Sequence, residues 1–351
     1  MKKQILLSFL FLLFCSTSYA KSGEEIAAQI APLLNERTIL VIHIDLSQID
    51  FRDVCEKATS QLEPFLASLN IDEKSIQGIA REAKKILRKG EKKIQNCLDT
   101  LIDKCGVTDV YYLGCDAPET DESTLDFFAI PLENRTVAQR NALASFLKEI
   151  PHLEDTFLEF GSEIQEHDGF QVFGTFSPER YREIPDQGNA KVQAMLGDAL
   201  KQTHGATLRA VMILGNINFI ESNRPGRELE HQLGELLDAM TKKLKYGVFT
   251  FDISRMECTV ILQANLESDA KDLEQDFQTL IELYGELAKE SIQEDQDMAF
   301  LAPLVGEFLK GSLKAAKPNR DGSRFVVQYE NDMIFSAFIN TLVGAAHFVL
   351  P

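Results

Sequence analysis

Residues 46–51 read LSQIDF, and residues 214–219 read LGNINF, 168 positions further on. A repeat on that scale constrains the chain more than its composition does, because it implies one folding unit used twice. Other matches follow the same order. Leu132-Glu133 and Leu266-Glu267 each open an amphipathic helix, and each half starts with a short helix (24–35 and 189–202) leading into an apolar strand.

Alternation of apolar residues marks strands at 38–46, 107–114, 125–131 and 169–175, and again at 206–214, 245–253, 257–265 and 322–329. Helical spacing marks 136–149 and 269–289, and Ser254-Arg255-Met256 joins two strands as a hairpin. The order strand, helix, strand, strand, helix, strand predicts an α+β fold. We expect two related β-α-β-β-α-β-like sandwich units, with helices on one face of an antiparallel sheet. The first unit spans 21–187 and the second 188–351. The interval between equivalent strands drops from 168 to 138 after the first strand, so the first unit carries an insertion within 50–105. Two apolar stripes run through it, Phe51, Val54, Ala58, Leu62, Phe65, Leu69 and then Ile76, Ile79, Ala83, Ile86, Ile94, Cys97, Leu101. They predict an antiparallel helical hairpin turning near Asn70-Ile71-Asp72.

The first twenty residues have the form of a cleaved export signal: Lys2 and Lys3, an apolar run from Ile5 to Cys15, then Ser18-Tyr19-Ala20. Cleavage after Ala20 predicts an exported protein, periplasmic or extracellular. Loss of the two lysines takes the net charge from −18 to −20, a balance that opposes nucleic-acid binding. Five cysteines remain, Cys55, Cys97, Cys105, Cys115 and Cys258, and an oxidising compartment leaves up to two disulfides open to them. Cys97 and Cys105, about 12 Å apart along one helix, are not partners. The C-terminal MIFSAFINTLVGAAHFVL is interrupted by Asn340, Thr341 and His347; it reads as a core helix, leaving no transmembrane segment after signal removal.

The chemistry on offer is sparse. In the strand TILVIHID, His43 and Asp45 share a face about 6.6 Å apart along the chain. That spacing suits two metal ligands, or a carboxylate polarising an imidazole through a partner. The second repeat has Val211 and Ile213 there, so the fold itself does not demand the polar pair. The plainer reading is a strand-end histidine bonded locally, with Asp45 tying down the following turn. Residues 81–93, REAKKILRKGEKK, set Arg81, Lys84, Lys85, Arg88, Lys89, Lys92 and Lys93 opposite the isoleucine stripe. Such a face binds an acidic protein or an anionic envelope surface, or is simply solvated. Glu228 and His231 form half of a di-metal motif with no second copy, His167-Asp168-Gly169 reads as a turn, and Asn134-Arg135-Thr136 as a helix cap. No nucleophile elbow, phosphate loop, dinucleotide fingerprint or H-E-x-x-H occurs, so no cofactor is implied.

With its exported start, its TILVIHIDLSQID strand entering a helix and its late GSRFVVQYEND strand entering another, the chain resembles uncharacterised secreted proteins of planctomycete-type bacteria. The resemblance implies a duplicated α+β architecture and assigns no activity. The sequence therefore favours an exported, non-enzymatic binding or interaction protein. The alternative is a hydrolase or metal-dependent enzyme using His43 and Asp45.

Overall fold

The computed structural model describes residues 21–53, 55–57, 60, 73–116, 124–149, 164–174, 189–203, 206–213, 228–252, 257–294 and 317–329. The leader, the hairpin turn at 70–72, the second copy of the repeat motif at 214–219, the turn at 254–256 and the C-terminal apolar run lie outside these residues.

The α-helices include α1 (Gly23–Ile30), α2 (Glu73–Asp99), α3 (Val137–Glu149), α4 (Asn189–Leu200), α5 (Glu228–Lys243) and α6 (Glu267–Glu294), and residues 51–53, 55–57 and 60 are also helical. The strands are β1 (Thr38–Asp45), β2 (Asp109–Asp116), β3 (Thr124–Pro131), β4 (Gln165–His167), β5 (Phe170–Gly174), β6 (Leu208–Met212), β7 (Leu244–Asp252), β8 (Glu257–Ala264), β9 (Lys317–Asp321) and β10 (Arg324–Tyr329). They form one antiparallel sheet in the order β4-β5-β3-β2-β1-β6-β7-β8-β10-β9. Its centre is the β1–β6 pair, so the sheet runs unbroken from the first half of the chain into the second. The strands expected from alternation are all present; β4 and β9, too short and polar to show a period, complete the outer hairpins. Asp168 (φ 46°) and Gly169 (φ 83°) form the two-residue turn between β4 and β5, where glycine and aspartate tolerate left-handed backbone.

The sheet is covered on both faces, which corrects the expectation of helices on one face. Ile26 and Ile30 of α1 and Leu196 and Leu200 of α4 pack with Val41, Tyr111, Val211 and Val248. On the opposite face Leu143 and Leu147 of α3, Ala80 and Leu98 of α2 and Phe51 pack with Ile44, Phe128 and Phe251. Met240 of α5 and Leu273 of α6 cover Leu262, Phe325 and Val327 further along. Strand alternation does the sorting, since neighbouring residues point to opposite faces.

α1 and α4 meet closely. Ser22 caps α1 by accepting from the Glu25 amide while Glu25 accepts from the Ser22 amide, a reciprocal cap. A Cβ at Gly23 would lie 2.2 Å from the Leu200 carbonyl oxygen, so only glycine fits there. The long α2 ends in a π-helical turn, Thr100–Lys104, before β2. Its inward side at this end is Leu98 and Cys105, with Leu101 and Ile102 half-buried, while Cys97 is exposed. Of the expected stripe, Leu101 packs against the core here while Cys97 faces outward and Leu98 takes the inner position. No disulfide joins any of the five described cysteines, so neither of the two bridges left open to them is formed. Four are buried and act as small apolar groups.

Candidate functional site

The ionisable groups best placed for chemistry gather at the centre of the sheet, beneath α1. His43 on β1 lies between Tyr111 on β2 and Arg209 on β6, and all three are fully buried. Asp109, at the start of β2, is 3% exposed. His43 Nε2 is 2.9 Å from Asp109 Oδ1, and Arg209 Nη1 is 3.0 Å from His43 Nδ1. A guanidinium has only donors to offer, so it donates to Nδ1. That assigns the imidazole as the neutral Nε2–H tautomer, donating to Asp109.

The network continues outward. Lys21 Nζ donates to Asp109 Oδ2 at 2.7 Å and to Gln29 Oε1 at 2.9 Å, and Thr108 Oγ1 donates to Asp109 Oδ2 at 2.7 Å. Tyr111 donates to the same Gln29 oxygen at 2.8 Å. Arg209 spends its remaining donors on main-chain carbonyls, Nη2 to Lys21 at 3.3 Å and Nε to Thr203 at 3.4 Å. One guanidinium therefore joins the N-terminal segment, the central seam and the loop after α4.

Electrostatics follow the geometry. Burial depresses the basicity of His43; Asp109 opposes this, and Arg209 adds to it. Burial pushes the Asp109 carboxyl up, but hydrogen bonds from His43, Lys21 and Thr108 outweigh it and hold the group well below the usual carboxylate range. Burial likewise raises the Tyr111 phenol and lowers Arg209.

Asp45 belongs to a different local structure. Its Oδ1 accepts from the Ser47 amide at 3.1 Å and the Ser47 hydroxyl at 2.5 Å, and its Oδ2 accepts from Gln48 Nε2 at 2.8 Å. These bonds cap the short 3₁₀ turn Leu46–Gln48. His43 and Asp45 share a face, as the alternation requires, but their hydrogen bonds run to different partners. Among the described residues no group of three His, Cys, Asp or Glu side chains is placed to hold a metal ion. Burial pushes the Cys55 and Cys258 thiols up to about 12, far from thiolate reactivity.

The basic face lies elsewhere. On α2, Arg81, Lys85 and Lys92 are exposed and Lys84 is half-buried; the side chains of Arg88, Lys89 and Lys93 lie outside the described set, as do those of Glu228 and His231 on α5. Thr136 caps α3, exchanging bonds with Gln139, so the cap read from Asn134-Arg135-Thr136 falls on its last residue.

Sequence reading missed Asp109 and Arg209 as partners of His43, and Lys21 as the partner of Asp109. One signal was present: Arg209 falls on the same alternating face as Val211 and Ile213, and a lone charge in an apolar row requires a buried partner. Comparison with family models, with curated proteins and with solved structures gave no match. No described helix is long and apolar enough to cross a membrane.

Proposed function

We propose that the protein is an exported, non-enzymatic binding protein built from two related α+β units, which meets its partner through the basic face of α2. One observation carries the non-enzymatic reading. His43, the group best suited to acid–base work, has both ring nitrogens engaged by protein and no exposed surface. Proton transfer needs a base within hydrogen-bond reach of substrate, and this imidazole has no free position to offer.

The duplication draws support from strand order, which has the same pattern counted from either end of the sheet. Ile42 lies opposite Ala210, and an offset of 168 makes these two residues equivalent. The outer hairpins agree too: His167 pairs with Phe170 and Asp321 with Arg324, each across a two-residue turn and 154 positions apart. Export draws on the leader pattern of residues 1–20. Lys21, immediately after the expected cleavage point, is bonded to Asp109 and Gln29, so a mature chain starting there keeps the whole network.

The sheet edges are poor docking surfaces. β4 reads QEH and β9 reads KPNRD, short, polar and in one case proline-bearing, features that oppose strand addition. A helical face rich in Lys and Arg on an acidic protein instead suits an acidic protein or anionic envelope surface. The test is a charge reversal of Lys84, Lys85, Arg88 and Lys89 to Glu. The natural protein should be retained on phosphatidylglycerol vesicles or on a polyanionic resin, and released as salt shortens the screening length. The reversed variant, folded by circular dichroism, should pass through both. Equal retention of the two proteins would remove α2 from the proposal.

A further inference from the structure

We infer that the His43–Arg209 pair is an acid-sensitive latch that holds the N-terminal segment Lys21–Leu34 on the sheet. Arg209 Nη1 donates to His43 Nδ1, so that nitrogen carries a lone pair while the latch is closed. A second proton on the ring would go there. It would set donor against donor and add a cation beside a guanidinium, at a position with no access to water.

Arg209 then has to move, and its other bonds make the consequence specific. Nη2 holds the Lys21 carbonyl and Nε the Thr203 carbonyl. Displacing one side chain therefore frees both the residue before the Ser22 cap of α1 and the loop that follows α4. Gly23 sits against the Leu200 and Lys201 backbone, so these two points are neighbours and should open together.

Among the described residues the ionisable groups facing His43 are Asp45 on its own strand, Asp109 and Tyr111 on β2, Arg209 on β6 and Lys21 ahead of α1. The two carboxylates favour an imidazolium. They are already committed, Asp109 to Lys21 and Thr108, Asp45 to Ser47 and Gln48. Arg209 and burial oppose it. The sign follows from linkage. A histidine that resists protonation when folded contributes its full stability above its unfolded pKa, about 6.5, and that contribution falls as the pH drops below it. The opening constant of the segment should rise by nearly tenfold per pH unit below about 6.5 while the folded imidazole remains neutral. Asp109, already held far down, stays ionised across this window.

The experiment is hydrogen exchange by mass spectrometry on the mature chain between pH 7.5 and 4.5, corrected for intrinsic exchange. Peptides covering 21–34 and 200–212 should show opening constants that climb below about 6.5, while peptides from β7 and β8 stay protected. In His43→Asn, whose amide can accept from Arg209 and donate toward Asp109 without titrating, the climb should vanish. A second readout, the His43 ring ¹³C shift of the natural protein, keeps the test decisive if that variant fails to fold. A folded titration midpoint below 6.5 supports the latch, and one at or above 6.5 overturns it. The latch is equally overturned by a flat profile, by a climb that persists in His43→Asn, or by simultaneous opening of β7 and β8.

Discussion

At the seam between the two halves, two neighbouring cross-strand pairs differ sharply. Val41 faces Val211, and two positions along His43 faces Arg209. With Ile42 and Ala210 equivalent under the proposed duplication, His43 corresponds to Val211 and Val41 to Arg209. The same symmetric seam is thus apolar on one side of its centre and charged on the other. Both pairs are buried, so the backbone accepts either solution. What differs is the dependence on partners: two valines need only volume, whereas the histidine and arginine need Asp109, Lys21 and two main-chain carbonyls correctly placed.

A second contrast lies under the two short helices. Beneath α1, Tyr111 donates to Gln29, which is half-buried and shared with the Lys21 ammonium. Beneath α4, Tyr246 donates to Asp198 at 2.8 Å and accepts from Gln202 at 2.6 Å, with Arg324 donating to Gln202. Asp198 is about half exposed on its side chain (53%) and also faces Lys245 at 3.6 Å. The second cluster is the more open of the two at its rim, so equal changes should have unequal effects.

The largest effect should come from Asp109→Ala, which leaves the His43 N–H and the Lys21 ammonium without their acceptor. Urea unfolding should register a loss of about 3–5 kcal/mol, because His43, Thr108 and Lys21 each lose a bond to a charged acceptor worth about 1.5–3 kcal/mol, the Lys21 bond less for its exposure. A loss below about 1 kcal/mol would mean that the network is not closed as described. Next, replacing His43 and Arg209 together by valine imitates the neighbouring pair. The double variant should be less destabilised than the two single changes summed, with a coupling of about 1–3 kcal/mol in a double-mutant cycle. Strict additivity would show that the two sides of the seam are independent of their partners.

The α1–α4 crossing offers a third comparison. Gly23→Ala drives a methyl into the Leu200 carbonyl and should cost about 1–3 kcal/mol. At Gly197 the added methyl meets only Ala27 Cβ, at 4.0 Å, so Gly197→Ala should gain up to about 1 kcal/mol from helix propensity. The smallest expected difference is between the tyrosines. Loss of either hydroxyl should cost about 0.5–1.5 kcal/mol, with Tyr111→Phe above Tyr246→Phe because water can replace the bonds made at the rim. The reverse order would contradict this difference in enclosure.

Much of the fold was legible from local pattern. Alternation located β1, β2, β3, β5, β6, β7, β8 and β10 because a strand lying between two layers repeats every two residues, whatever its neighbours. The turn at Asp168-Gly169 was legible because positive φ selects those residue types. The outward turn of Cys97 was not, since Leu98 beside it is equally apolar and only packing chooses between them. The absence of a disulfide among the described cysteines was not legible either: five cysteines in a chain read as exported allow disulfides, and only their positions in space decide.

His43 shows the division most clearly. The sequence by itself determined that it shares a strand face with Asp45, and that this face need not be polar for the fold. It also determined that Asp45 stands one residue before a turn it can cap. That His43 bonds to Asp109, 66 residues away, and to Arg209, 166 residues away, was decided only when β1 was placed between β2 and β6 in a fixed register. Side-chain period is a local property of a strand, but neighbour and register are set by the packing of the whole sheet, and hydrogen bonds across strands inherit that choice.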